Sequence, residues 1–291
     1  MTNQSSRMPI AVFGATGNQG GAVVDALLSE GAEVRALVRD AASPGARRLA
    51  ERGVEIAVAD ATDPESLEAA LRGVGGFFFM TTPDGPDGIA GETAQGVALA
   101  DAAVAAGVPH VVFSSVGGAD RDSGVPHFDS KRRVEEHLAR RGVTTTIIRP
   151  VFFMENFLAR GISVEDGAIV VRKPLADGIP LQMIAVRDIG IIAARALLDS
   201  GLPGGELEIA GDELTGSEIA RALQERSGMP ARYEALPVEA VGAESDAAAM
   251  FRWFSELPAY QADFERTRAL DPGLLGFRDW LDVVDWQPPR G

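Results

Sequence analysis

Met8-Pro-Ile-Ala-Val-Phe-Gly-Ala-Thr-Gly-Asn-Gln-Gly-Gly-Ala-Val-Val-Asp-Ala-Leu-Leu28 reads as a buried strand, a glycine turn and a helix. Ile10 to Phe13 form a short apolar run suited to a parallel strand covered on both faces, and Val23, Val24, Leu27 and Leu28 recur at helical spacing. Between them Gly14, Gly17 and Gly20 are spaced G-x-x-G-x-x-G, a variant of the G-x-G-x-x-G dinucleotide fingerprint. Gly14 is expected to allow the sharp turn off the strand, Gly17 to let the backbone approach a pyrophosphate, and Gly20 to let the helix pack close to the strand. The pyrophosphate belongs where unpaired amides and the positive end of the helix dipole point outward, with Thr16, Asn18 and Gln19 as further donors. A tight turn without a ligand would also use glycines. The order strand, turn, helix is what the motif requires and favours dinucleotide binding.

The next strand, Glu33-Val-Arg-Ala-Leu-Val38, leads to the position that meets the adenine ribose, acidic for NAD and basic where a 2′-phosphate must be accepted. Arg39 stands there, with Arg47 and Arg48 close behind. A guanidinium holds a phosphate with two parallel hydrogen bonds, whereas a carboxylate repels it. The expected cofactor is therefore NADP(H), with NAD(H) second. The alternative is a surface arginine paired with Asp40, that aspartate then serving a ribose hydroxyl.

At 291 residues the chain suits an α/β domain with an appended lobe. It has no cysteine, so disulfides, thiol nucleophiles and thiolate-bound metals are excluded, and no metal site is expected. A net charge of −15 opposes phosphate backbones and anionic lipid, which argues against direct nucleic acid binding. No uncharged apolar run reaches membrane-spanning length, and residues 1–7 are polar and expected to be disordered. The expectation is a soluble, cytoplasmic protein without a membrane partner. Lys131 and Lys173 are the only lysines beside abundant arginine, so a lysine in a functional setting is informative.

Further along, the sequence predicts a helix over 43–52, a strand over 54–59, a helix over 65–72, a strand over 75–80, a helix over 89–106, a strand over 109–115, a helix over 128–141 and a strand over 144–149. This alternation predicts a Rossmann-like, doubly wound parallel sheet with right-handed crossovers over residues 8–150. Asp60 and Ala61 follow the third strand, and Thr81, Thr82 and Pro83 the fourth, at the sheet edge where such folds bind ligands. Asp60 reads equally as a turn or cap residue. From residue 151 to 291 shorter elements predict a small α/β C-terminal lobe, with 168–172 and 181–186 as paired strands, 238–270 mainly helical and a final helix over 277–284. His110 and His137 read as structural. Glu135 and Glu136 read as a solvated helix face.

Gly14-Ala-Thr-Gly-Asn-Gln-Gly20, Phe113-Ser-Ser-Val116, His127-Phe-Asp-Ser-Lys131, Arg149-Pro-Val-Phe-Phe-Met-Glu-Asn-Phe157, Val186-Arg-Asp-Ile-Gly190 and Phe277-Arg-Asp-Trp-Leu281 together resemble the NmrA-like branch of the atypical short-chain dehydrogenase/reductase superfamily. The resemblance spans nearly the whole chain. It implies a Rossmann cofactor domain and a small C-terminal lobe enclosing a cleft, NAD(P) binding, and one of two activities: redox sensing through protein partners, or reduction of quinones and related acceptors. The wider superfamily places a tyrosine four residues before an active-site lysine that holds the nicotinamide ribose. Here the lysine is Lys131 and the tyrosine position is His127. The departure disfavours carbonyl reduction by the tyrosine route and leaves His127 as the candidate acid, an imidazolium titrating near working pH; the alternative is two ordinary first-turn helix residues.

Ser114 and Ser115 lie near the superfamily's carbonyl-orienting hydroxyl, whose position aligns as well with Val116, so neither is assigned catalysis; Ser114 is expected at the cofactor. After Pro150, also expected at the cofactor, Phe152, Phe153 and Phe157 with Met154 read as an apolar wall beside the nicotinamide, with plain core packing the alternative, and Asn156 as a donor to the carboxamide or substrate. Met250 to Phe254 form an aromatic cluster that reads as lobe packing or a substrate lid. The leading expectation is an NADPH-dependent reductase of a small apolar acceptor, a quinone or conjugated carbonyl compound. Its rival is a non-catalytic NADP(H) sensor, as a homodimer or with a regulatory protein partner. A purely structural interaction protein comes third.

Overall fold

In a computed structural model, residues 8–159, 161–198 and 205–289 are described; the expectation for residues 1–7 lies outside them. Two compact units interleave along the chain, Met1–Val116, Asp129–Arg149 and Ile189–Leu207 forming one, and Gly117–Phe128, Pro150–Asp188 and Glu208–Gly291 the other.

The alternating elements are β1 (Ile10–Phe13), α1 (Asn18–Ser29), β2 (Val34–Val38), α2 (Pro44–Glu51), β3 (Glu55–Val58), α3 (Pro64–Leu71), β4 (Gly76–Met80), α4 (Gly88–Ala105), β5 (Val111–Ser114), α5 (Pro126–Arg141) and β6 (Thr145–Pro150). Strands β1 to β6 pair in parallel, with β1 between β2 and β4. The sheet therefore reverses direction of growth between β1 and β4, the switch point outside whose carboxyl ends doubly wound folds take their ligands. On one face Leu67 and Leu71, Leu99 and Ala103, and Val134 and Leu138 from the three helices α3 to α5 pack with Phe77, Phe79 and Phe113 of the sheet. Phe79 touches both Phe77 and Phe113, at 5.3 and 4.8 Å between ring centres.

Small residues in α4 let it approach α5 closely. A Cβ on Gly96 would lie 2.3 Å from the Val134 side chain, so only glycine permits this separation. The closeness has an electrostatic consequence, since it brings polar residues one turn earlier on each helix within reach of one another. Glu135 departs from the expected solvated face. It is buried and receives a two-point contact from Arg149, Nε at 2.9 Å and Nη2 at 2.8 Å. Glu136 does lie outside, half-exposed and paired with Arg132.

The remaining elements are β7 (Phe152–Phe153), α6 (Asn156–Ala159), β8 (Ile162–Glu165), β9 (Ala168–Lys173), β10 (Leu181–Ile184), α7 (Val186–Leu198), β11 (Glu206–Ile209), β12 (Asp212–Leu214), α8 (Gly216–Ser227), β13 (Ala231–Ala235), α9 (Asp246–Ser255), α10 (Phe264–Leu270) and α11 (Phe277–Val283). The expected pairing of 168–172 with 181–186 is not formed. Strand β9 lies between β8 and β13, while β10 lies between β12 and β7. Both strands are mostly apolar and largely buried on both sides, and such runs carry little record of their partner. Strand β11, from the 151–291 segment expected to form a substrate or lid lobe with sheet-edge contributions, is the edge strand beside β6 in the seven-stranded sheet. The helical stretch 238–270 is broken into a single 3₁₀ turn (Val238–Val241), α9 and α10. Among the described residues no helix is long and apolar enough to cross a membrane.

Candidate active site

The glycine turn does locally what its spacing demands. Gly14 has φ +72°, a conformation costly for any side-chain-bearing residue, and a Cβ on Gly20 would stand 2.2 Å from the Gly14 carbonyl oxygen. Helix α1 can lie this close to β1 only because position 20 has no side chain. Gly17 caps α1 in an extended conformation, no side chain bonds the first-turn amides, and the first turn holds no acid. Thr16, Gly17 and Asn18 are exposed. An open, amide-lined helix end with positive dipole has the chemistry that holds a diphosphate. Gln19 differs from its neighbours: it is buried, and its Oε1 accepts the Ser114 hydroxyl at 2.8 Å. That bond ties α1 to the end of β5 and occupies the Ser114 proton.

Arg39 follows β2 and is exposed. Asp40 accepts the Ala42 amide at 2.8 Å, forming a turn. The Asp60 carboxyl is held below the usual range by the Thr62 amide and hydroxyl, with the Arg39 charge a smaller contributor. Asp60 is thus an Asx-type turn acceptor; the cap of α3 is Asp63. A Cβ on Gly45 would meet the Thr16 side chain at 2.9 Å, so the start of α2 lies against the glycine turn. Exposed Arg47 and Arg48 continue along that helix, and Ala61 is half-buried.

At the end of β4, Thr81 is buried, Thr82 exposed and Pro83 half-buried. Lys131 on α5 donates to the Thr81 carbonyl at 2.8 Å and meets Glu92 Oε1 of α4 at 2.9 Å. Glu92 has no exposed side-chain surface. Its Oε1 also accepts the Thr81 hydroxyl at 3.1 Å, and its Oε2 accepts the Ser130 hydroxyl. The structure brings the sequence-predicted Lys131 and Thr81 together on Glu92, which no motif in the sequence marks. The available signal was its place, with Gly96, Leu99, Ala100 and Ala103, on the buried stripe of α4.

In the second unit His127 pairs with Asp246, Nδ1 to Oδ2 at 2.5 Å, while the His127 amide donates to Asp246 Oδ1 at 2.9 Å. Burial works to raise the Asp246 carboxyl, but the imidazole and amide outweigh it and hold the group below the usual carboxylate range. One carboxylate thus fixes both the backbone and the ring of His127, the orienting arrangement an imidazole acid requires. Asp246 was missed: it opens α9, where an acid reads as an ordinary first-turn residue.

Pro150 is buried and its carbonyl accepts the Gly117 amide. Phe152 and Phe157 are buried edge to face at 5.8 Å, and Phe152 meets Phe254 at 6.2 Å; Phe153 is half-buried and Asn156 exposed. Lys173 Nζ lies 4.7 Å from the Phe157 ring centre and 5.6 Å from that of Phe152, and burial pushes its ammonium down to about 8. In the 250–254 cluster, Phe254 packs on Phe251 and Trp253, and both Trp253 and Phe254 reach Tyr260. Glu155 accepts Trp280 Nε1 at 3.0 Å and the Val186 amide at 3.1 Å, and burial raises its carboxyl against those donors. These contacts explain the Glu in the 149–157 motif and the Trp in the terminal one as structural partners. His110 meets Thr146, and His137 meets Asp101, at 2.9 and 2.7 Å.

The chain is similar to an NAD(P)H azoreductase of Xenophilus azovorans, 37% identical over 232 residues that cover 79% of this chain and 78% of the relative. It is 32% identical over 234 residues to a (4-alkanoyl-5-oxo-2,5-dihydrofuran-3-yl)methyl phosphate reductase of Streptomyces griseus, covering 79% and 78% of the two chains. Among solved structures, the Escherichia coli NADPH-dependent quinone oxidoreductase complexed with NADPH superposes with a TM-score of 0.80 at 26% identity, over 95% of this chain and 100% of that one. With residues 6–282 matching as a whole, the chain belongs to the NmrA-like family.

Proposed function

We propose that this protein is an NADPH-dependent reductase of small, apolar, conjugated acceptors, quinones and enones first among them. The observation that carries the proposal is the uncapped, acid-free start of α1 at the sheet's switch point, a built seat for a diphosphate. Three relatives of different substrate, each named as a nicotinamide-dependent enzyme or a reductase, support the reaction class. Gly14, Gly17 and Gly20 shape the seat, and the amides of Thr16, Asn18 and Gln19 with the exposed side chains of Thr16 and Asn18 line it, the Gln19 side chain being turned inward to Ser114. Arg39 receives the adenosine 2′-phosphate, beside Asp60 and Ala61. Thr81, Thr82 and Pro83 border the dinucleotide, Ser114 stands behind it, enclosed and bonded to Gln19, Pro150, Phe152, Phe153 and Asn156 belong to its surroundings, and Lys131 holds the nicotinamide ribose.

Bound NADPH supplies the hydride. The chain's own residues orient and protonate. Hydride and one proton convert a quinone to a hydroquinone or saturate an enone, and His127, oriented by Asp246, is the proton donor. A quinone, whose reduced form is a stabilised aromatic oxyanion, needs that proton less than an enone does. His127→Phe is therefore expected to slow enone reduction about 100-fold and quinone reduction about twofold, read as steady-state turnover on the two acceptors; equal losses on both would remove the acid role.

The reading as a whole is tested by loss of NADPH absorbance over a panel of quinones, enones and azo dyes, with NADPH binding measured separately by calorimetry. Turnover of at least one class is expected. A protein that binds NADPH yet turns over nothing overturns the reductase assignment, and one that binds neither nicotinamide coenzyme overturns the cofactor seat as well.

A further inference from the structure

We infer that Glu92 is the positioning residue of the site: its buried carboxylate fixes the Lys131 ammonium at the carboxyl end of β4, and cofactor affinity depends on it through Lys131. The inference rests on the reading of Lys131 as a cofactor-holding group.

A lysine side chain has several rotatable bonds and a point charge with no preferred direction. To hold one ribose it must lose that freedom before the ligand arrives, or the loss is charged against binding. Two short bonds restrict Lys131, to Glu92 Oε1 at 2.9 Å and to the Thr81 carbonyl at 2.8 Å, while its third N–H makes only a long contact of 3.3 Å with the Thr81 hydroxyl, the one a ribose hydroxyl would replace. Glu92 is itself restrained, because its Oε1 accepts the Thr81 hydroxyl and its Oε2 the Ser130 hydroxyl. All four groups are buried. Strand β4, helix α4 and helix α5 thus meet on one carboxylate, and the close Gly96–Val134 approach one turn further on makes that meeting possible.

Stability alone gives a poor reason for the arrangement. A buried ion pair is commonly no more stabilising than apolar side chains of equal volume, since both charges lose their water. This stretch of α4 is otherwise rich in alanine and glycine and needs no charge to pack. The pair also lies at a particular place: Thr81 directly follows β4, neighbour of β1 at the switch point, and Met80 reaches to 3.7 Å of where a Gly14 Cβ would stand. Immobilising an ammonium there serves a ligand at the glycine turn.

The test is a double-mutant cycle on NADPH affinity, read by the fluorescence of the bound coenzyme, with Glu92→Gln, Lys131→Met and the pair combined, each shown to be folded by its melting curve. Glu92→Gln is expected to weaken NADPH about tenfold in the native background and less than about twofold once Lys131 is gone. An equal loss in both backgrounds, or none in the native one, overturns the inference. Where Lys131→Met does not fold, the chain's having only two lysines supplies a second measurement. In protein carrying isotope-labelled lysine, NADPH is expected to shift one ε-CH₂ signal, and Glu92→Asp, which retains the charge but withdraws it, to move that same signal toward the position of free lysine. A responsive signal unchanged by Glu92→Asp overturns the inference. Native protein that binds no NADPH fails the underlying reading instead, so the two failures are distinguishable.

Discussion

Replacing Arg149 by methionine is expected to lower the thermal midpoint by about 10 °C, from a loss of ~3 kcal/mol at a few degrees per kcal/mol. Arg149 and Glu135 have 4% and 1% of their side-chain surface exposed, and the guanidinium contacts both carboxylate oxygens. Methionine leaves Glu135 charged and buried, the costly way to break such a pair. Two features keep the effect at the low end. Arg132, 41% exposed, already touches Glu135 at 3.2 Å and offers partial compensation. The second partner of Arg149, Glu206, is 57% exposed and simply returns to water. The control is Arg149→Met with Glu135→Met, which removes both charges and is expected to recover most of the midpoint. Differential scanning calorimetry reads both; a single variant within about 2 °C of the native protein would show that the pair carries no stability.

Replacing Arg39 by aspartate is expected to shift the coenzyme preference from NADPH toward NADH. A charge-assisted bond to phosphate contributes on the order of 1.5–3 kcal/mol, so the ratio of NADPH to NADH dissociation constants is expected to rise about 10- to 150-fold. The exposed setting of Arg39 places the effect below the top of that range at physiological salt. Asp60, whose carboxyl Arg39 helps keep ionised, stays engaged with Thr62, so the turn after β3 survives the substitution. Calorimetric titration with both coenzymes decides the matter. Equal weakening of NADPH and NADH would mean that Arg39 serves the fold or a phosphate common to both, and native protein that binds NADH more tightly would reverse the specificity itself.

The site emerged unevenly from the sequence, and the unevenness follows interaction range. Gly14 and Gly20 were legible because positive φ and a missing Cβ are requirements of the local backbone. Lys131 was legible from its motif. Its partner was not, although Glu92 shares the buried stripe of α4, just as Glu135 shares with Phe128, Lys131, Val134 and Leu138 the inward spacing of α5. Periodicity marks such an acid as buried; it does not say which cation meets it. Asp246 offered no periodic signal at all, since its partner His127 stands far away along the chain.

The sequence by itself determined the α/β alternation and the shape of the glycine turn, because periodicity and backbone conformation are properties of neighbouring residues. Tertiary structure alone decided that β9 and β10 belong to different sheets, that Gln19 turns inward to Ser114, and that Lys131, His127 and Arg149 meet Glu92, Asp246 and Glu135. Those pairings depend on which buried charges and strand edges the completed fold brings within bonding distance, and no short-range rule carries that information.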